Sequence, residues 1–186
     1  MIAALVLTTL AAGAVDFKPS PKGEKPGFAL INNGKPAAVF VDADAEKPVQ
    51  RVAADFACDL EKVSGKKALV IHDLKDAKGP VVIIGTIGHS SVIDGLVTSG
   101  KVEADIKGQW EAYRQTVTTV PGVGQALVIA GADKRGAVYG TYDISAKMGV
   151  SPWYWWADVP VQHHETVTVA AGSRLDKPAV KYRGFF

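Results

Sequence analysis

Val81-Val82-Ile83-Ile84, running into Gly85-Thr86-Ile87-Gly88, and Leu127-Val128-Ile129-Ala130, running into Gly131-Ala132-Asp133, decide how this chain folds. Each is a short apolar run that ends in a glycine turn and opens a helical stretch, Ser91 to Val97 in the first case and the residues after Asp133 in the second. Strand, glycine turn and helix therefore occur twice. Between the two units, Tyr113, Gln115, Val117 and Thr119 alternate with Arg114, Thr116, Thr118 and Val120, a strand-like run rich in β-branched residues. Trp110 is expected to pack at its entrance.

Working outward, Phe28 to Ile31 and Ala38 to Val41 flank Asn32-Asn33-Gly34-Lys35-Pro36, and Asn-Gly between two apolar runs signals a hairpin. An antiparallel pair is expected from these two runs. Asp44 can cap the next element, in which Val49, Val52, Ala53, Phe56, Ala57, Leu60 and Val63 form a continuous helical stripe. Arg51, Asp55, Asp59, Glu61 and Lys62 take the other side, Cys58 points away from the stripe, and Gly65 is a natural stop. Glu165 to Val169 reads as a further strand. The order of elements defines an α/β (α+β) fold, a mixed β-sheet of about five to seven strands with helices packed on it.

Composition is that of one globular domain: 186 residues, 47% hydrophobic and 22% charged. The net charge of +2 comes from 21 basic and 19 acidic residues spread along the chain, so no basic stripe marks a nucleic-acid partner. Residues 1–14 read as a signal peptide without a basic n-region: Ile2 to Leu10 carries no charge, and Ala12-Gly13-Ala14 is a cleavable small-x-small pattern. A secreted or periplasmic protein is expected, with no membrane contact after cleavage, since the run is too short to span a bilayer. Residues 15–27 read as a linker, with Pro19, Pro21, Gly23 and Pro26 among lysines.

Trp153-Tyr154-Trp155-Trp156 holds three of the four tryptophans, and four consecutive large aromatics cannot all face one core. Their rings either offer a platform to the apolar faces of sugars or form a seam against another domain. Lys134 and Arg135 open the second helix, where the dipole favours acidic residues, so they either flank an anion or pair with carboxylates. Gly136 and Gly140, one turn apart, permit a close approach of that helix to the sheet. Gly85-Thr86-Ile87-Gly88 lacks the spacing of a dinucleotide or P-loop motif and reads as a tight turn. His163-His164 are poorly placed to chelate a metal from one face, and His72 and His89 are isolated. The reading is therefore no cofactor, no metal site and no catalytic residue.

Ala130-Gly131-Ala132-Asp133-Lys134-Arg135-Gly136-Ala137-Val138-Tyr139-Gly140-Thr141-Tyr142-Asp143 and Gly149-Val150-Ser151-Pro152-Trp153-Tyr154-Trp155-Trp156-Ala157-Asp158-Val159-Pro160 resemble the xylan α-1,2-glucuronidases of glycoside hydrolase family 115. Gly85-Thr86-Ile87-Gly88 with Ile93-Asp94, and Ile106-Lys107-Gly108-Gln109-Trp110-Glu111, are similar to that family too. The resemblance implies that residues 28–178 are an N-terminal accessory domain and that 179–186, Lys181-Tyr182-Arg183-Gly184 among them, begin a (β/α)₈ catalytic barrel. It further implies an inverting release of (4-O-methyl)glucuronic acid from glucuronoxylan by two carboxyl groups beyond Phe186. The implied partner is the barrel of the same polypeptide, with glucuronoxylan as a candidate ligand. Trp153, Tyr154, Trp155, Trp156, Lys134 and Arg135 are then candidates for the rim of the substrate site or for the interface between domains. The competing expectation is a stand-alone carbohydrate-binding module built on the Trp153–Trp156 cluster.

Overall fold

In a computed structural model, which describes residues 27–183 apart from the Trp155 side chain, the chain begins with β1 (Phe28–Asn32) and β2 (Lys35–Pro36). The expected signal peptide (1–14), nearly all of the expected linker (15–27), and Gly184 to Phe186 lie outside the described residues. Asn33 and Gly34 turn between these strands with φ of 49° and 66°, the left-handed pair that a tight hairpin turn needs. The hairpin differs from expectation in its second arm. After Ala37 the chain leaves β1, and β3 (Ala38–Phe40) enters another sheet in parallel pairing. Ala37 still donates its N–H to the Leu30 carbonyl of β1, and two residues on Val39 donates its N–H to the Leu69 carbonyl beside the second sheet.

Helix α1 (Lys47–Ser64) buries the expected stripe. Its cap is Glu46 rather than Asp44, and the cap side chain makes no bond; Pro48, in the first turn, has no N–H to leave unpaired and suits the start of a helix. Gly65, at φ 71°, ends it in the left-handed region. Then come β4 (Val70–Ile71), at the end of the apolar run Ala68 to Ile71, β5 (Val81–Thr86), and α2 (Ser91–Thr98). The antiparallel ribbon of β6 (Tyr113–Val120) and β7 (Gly124–Gly131) leads into α3 (Lys134–Lys147) and the single turn α4 (Trp153–Trp156). Finally β8 (Val167–Val169) returns to pair with β1, and β9 (Ser173–Asp176) joins β6. Among the described residues, 179–183 form no strand.

The main sheet has six strands in the order β4-β3-β5-β7-β6-β9, the first four mutually parallel and β6 reversed. A smaller antiparallel sheet has the order β2-β1-β8. Helices cover both faces of the main sheet, and this is why its central strands read as unbroken apolar runs. Val82, Ile84, Leu127 and Ile129 join Phe56 and Leu60 of α1 and Ile144 of α3 in one core, which also takes Phe28, Leu30 and Val169 of the small sheet. Val81, Ile83, Val128 and Ala130 point the other way, into a second core with Ile93 and Leu96 of α2 and Ile106 of the following loop. Burial of each such side chain contributes about 1.5–3 kcal/mol.

Candidate functional site

The C-terminal ends of the parallel strands are where α/β sheets place their chemistry, and here that edge is filled by polar groups that bind one another. Gly88 takes φ 83° in the turn after β5, and its N–H donates to Asp94 Oδ1 at 2.8 Å. Ser90 Oγ accepts from the Ile93 N–H, capping α2, and donates to Asp42 Oδ2 at 2.5 Å, tying the ends of β3 and β5 together. A phosphate at this turn would compete with Asp94 for its N–H. The turn is thus closed by the chain's own side chains.

The second turn holds the more unusual arrangement. Asp133 caps α3 by accepting from the Gly136 N–H at 2.8 Å, and its other oxygen takes the Glu111 N–H at 3.0 Å. The loop before β6 is thereby pulled against the helix, so closely that a Cβ on Gly136 would stand 2.1 Å from the Ala112 carbonyl oxygen. One turn later, Gly140 allows a less extreme approach, with the Tyr113 ring 2.8 Å and the Ile129 side chain 3.0 Å from where its Cβ would stand. In this tight place Glu111 adopts φ 53°, and its carboxylate is 1% exposed. An ionised group so buried requires partners. Arg135 Nε meets Glu111 Oε1 at 2.9 Å, and Arg183 meets Oε2.

Both arginines also flank Tyr139, each guanidinium 5.9 Å from the ring centroid. The Tyr139 hydroxyl accepts from Arg135 Nη2, and this bond, foremost among the charges around it, raises the Arg135 pKa above its ordinary value. Glu111, Tyr113, Tyr139, Asp176, Lys177 and Arg183 line a cleft of about 380 Å³. On its floor the Tyr113 hydroxyl donates to Asp176 Oδ2 at 3.3 Å, and burial, followed by the charges of Asp143 and Asp176, pushes the phenol pKa well up. Arg174 joins Asp143 and Asp176, and Asp143 also accepts from Gln115, which knits β6, α3 and β9 together. Of the two cations lining this cleft, Arg183 already holds the Glu111 carboxylate, whereas Lys177 Nζ donates to the Gln109 amide oxygen.

The residues singled out in the sequence fall into separate places. Lys134 Nζ lies 3.5 Å from Glu46 Oε1 at the start of α1, and Arg135 belongs to the Glu111 cluster. The aromatic run lies beyond the far end of α3. Trp153 and Trp156 are 62% and 83% exposed, while Tyr154 is half-buried with Lys62 Nζ 4.8 Å above its ring. Trp110 is 45% exposed rather than packed into the entrance of β6, and it carries Lys181 over its ring at 4.9 Å. His163 pairs with Glu165 on the surface, and His72 Nδ1 lies 2.8 Å from the Val41 carbonyl. Glu111, the hub of the site, carries no local signal in the sequence, since its partners lie 24 and 72 residues further on.

Neither a protein-family model nor a curated protein sequence matches the chain. Solved structures do. One is a portion of "a novel family GH115 4-O-methyl-alpha-glucuronidase, BtGH115A, with specificity for decorated arabinogalactans": TM-score 0.68 and 30% identity, over 83% of this chain and 19% of that one. Another is CpGH84D, with TM-score 0.50 and 15% identity over 74% of this chain and 22% of that one, a likeness of fold alone. The fold is therefore an α/β domain of a kind found within longer glycoside hydrolases. The match is to a member of glycoside hydrolase family 115, the family that the sequence resembles, and this chain spans about a fifth of that enzyme's length.

Proposed function

We propose that the chain is the non-catalytic N-terminal domain of an exported α-glucuronidase, packed against a catalytic barrel of the same polypeptide and inactive without it. The observation that carries this reading is the match to family 115 over 83% of this chain but only 19% of the enzyme. The charge pairing around Glu111 supports it, because the groups there neutralise one another instead of leaving a carboxyl pair open to solvent. The whole enzyme would release (4-O-methyl)glucuronic acid from side branches of a plant polysaccharide with inversion. Glucuronoxylan is the substrate implied by the sequence, and decorated arabinogalactan is the one stated for the matching enzyme. Trp153 and Trp156 then serve the contact between domains rather than holding glycan unaided.

Affinity electrophoresis of the 186-residue chain in gels of each polysaccharide, with an assay of uronic acid release, tests the proposal. Neither retardation nor release is expected. Release by the chain alone would refute the non-catalytic reading, and retardation abolished by Trp156→Ala would replace it with a binding module.

A further inference from the structure

After β9 the chain does not simply leave the domain. Within seven residues, 177–183, it sends three cations back onto one spot: Lys177 Nζ donates to Gln109 Oε1 at 3.0 Å, Lys181 covers Trp110, and Arg183 reaches Glu111 and Tyr139. Arg135 already supplies a counter-charge to Glu111, but it takes only Oε1. The second oxygen of a carboxylate 1% exposed cannot turn to water, and Arg183 is what satisfies it. Beside this attachment stand Trp110, Val180 and Tyr182, which are 45%, 59% and 83% exposed. They lie at the opposite end of α3 from Trp153 and Trp156.

We propose that Glu111 is a positioning residue that latches residues 177–183 to the C-terminal edge of the main sheet, and that Trp110, Val180 and Tyr182 seat the rest of the polypeptide there. The second half rests on the reading above, that this chain is one domain of a longer enzyme. Its occupant is argued from length, since the matching enzyme is about five times longer than the stretch this chain covers, and from continuity, since the latched segment itself carries two of the three seat residues. A second contact surface between domains, separate from Trp153 and Trp156, thus lies at the Glu111 end of α3.

Limited trypsin digestion of the 186-residue chain, followed at the Lys181–Tyr182 bond, tests the latch. Arg183→Gln is expected to speed that cleavage about tenfold or more, as loss of a charge-assisted bond predicts. Arg135→Gln, which leaves Glu111 to Arg183 alone, is expected not to speed it. Wild-type cleavage as fast as in Arg183→Gln, or equal acceleration by both variants, overturns the latch. Hydroxyl-radical footprinting of the native polypeptide tests the seat: Trp110 and Tyr182 should be labelled more slowly than in the 186-residue chain. A longer native protein in which both are labelled at the same rate as in the short chain overturns the seat. A native protein of this length overturns the domain reading instead.

Discussion

Gly136→Ala is the substitution whose effect the structure sets most sharply. The new Cβ would stand 2.1 Å from the Ala112 oxygen, 2.9 Å from its carbonyl carbon and 3.3 Å from the Glu111 carbon, and every one of these is backbone. No side chain can swing aside. To reach 3.0 Å, the shortest distance real Cβ atoms show, loop and helix must separate by about 0.9 Å. The same movement strains the bond from Ala132 N–H to the Ala112 carbonyl, at 2.8 Å, and that from Glu111 N–H to Asp133, at 3.0 Å. Overpacking costs about 1–3 kcal/mol and each weakened bond up to about 1, against a gain of at most about 1 kcal/mol from replacing a helical glycine. The net loss is about 2–3 kcal/mol, or a midpoint about 5–10 °C lower in a domain of this size. Gly95→Ala is the control: Gly95 lies in α2 with φ outside the left-handed region and nothing within 4 Å of its added Cβ. It should raise stability by about 0.5–1 kcal/mol. Urea unfolding of both variants reads the two signs. A Gly136→Ala protein as stable as wild type would refute the close approach of α3 to the loop.

Three further outcomes are expected. Phe56→Ala, at a fully buried position on α1, should cost about 3–5 kcal/mol in chemical unfolding; a loss under about 1 kcal/mol would mean that the helix does not cover the sheet. Tyr113 holds its proton more tightly folded than unfolded, so its contribution is fully present below the ordinary tyrosine pKa of about 10 and is lost as pH rises toward the raised folded value. Thermal midpoints should therefore fall above about pH 10, less steeply in Tyr113→Phe, and identical slopes would count against the buried phenol. Trp153→Ala and Trp156→Ala should change the unfolding free energy of the chain by less than about 0.5 kcal/mol while reducing its self-association in light scattering, because both rings face solvent. A large loss of stability would show that they are packed.

What could be read from the sequence follows from how local each signal is. The stripe from Val49 to Val63, the turn at Gly65 and the two strand-glycine-helix units depend on neighbours a few residues apart, and each stands where expected. The partner of β3 could not be read that way. Asn33-Gly34 signals its turn correctly, but whether Ala38 to Phe40 stays with β1 or crosses to β5 depends on strands more than forty residues away. β9 gives no such signal, because Ser173 to Asp176, with its alternating charges, makes no apolar run; β4 lies in the apolar run Ala68 to Ile71, of which only Val70 and Ile71 pair. At the site, Arg135 was legible as an anomaly, a cation where the helix dipole favours an anion. Its explanation was not. A buried glutamate with positive φ is produced by Asp133 holding the loop at Glu111 with one oxygen and α3 at Gly136 with the other, a contact that exists only after folding.

Whether this chain is one domain of a longer glucuronidase is tested most directly by the release of 4-O-methylglucuronic acid from decorated arabinogalactan and glucuronoxylan by two samples: the native protein captured with antibody against residues 27–183, and the 186-residue chain. Release is expected from a captured polypeptide far larger than 19.6 kDa, and none from the chain itself. Release by the chain, or a captured protein of 19.6 kDa, would contradict the domain reading.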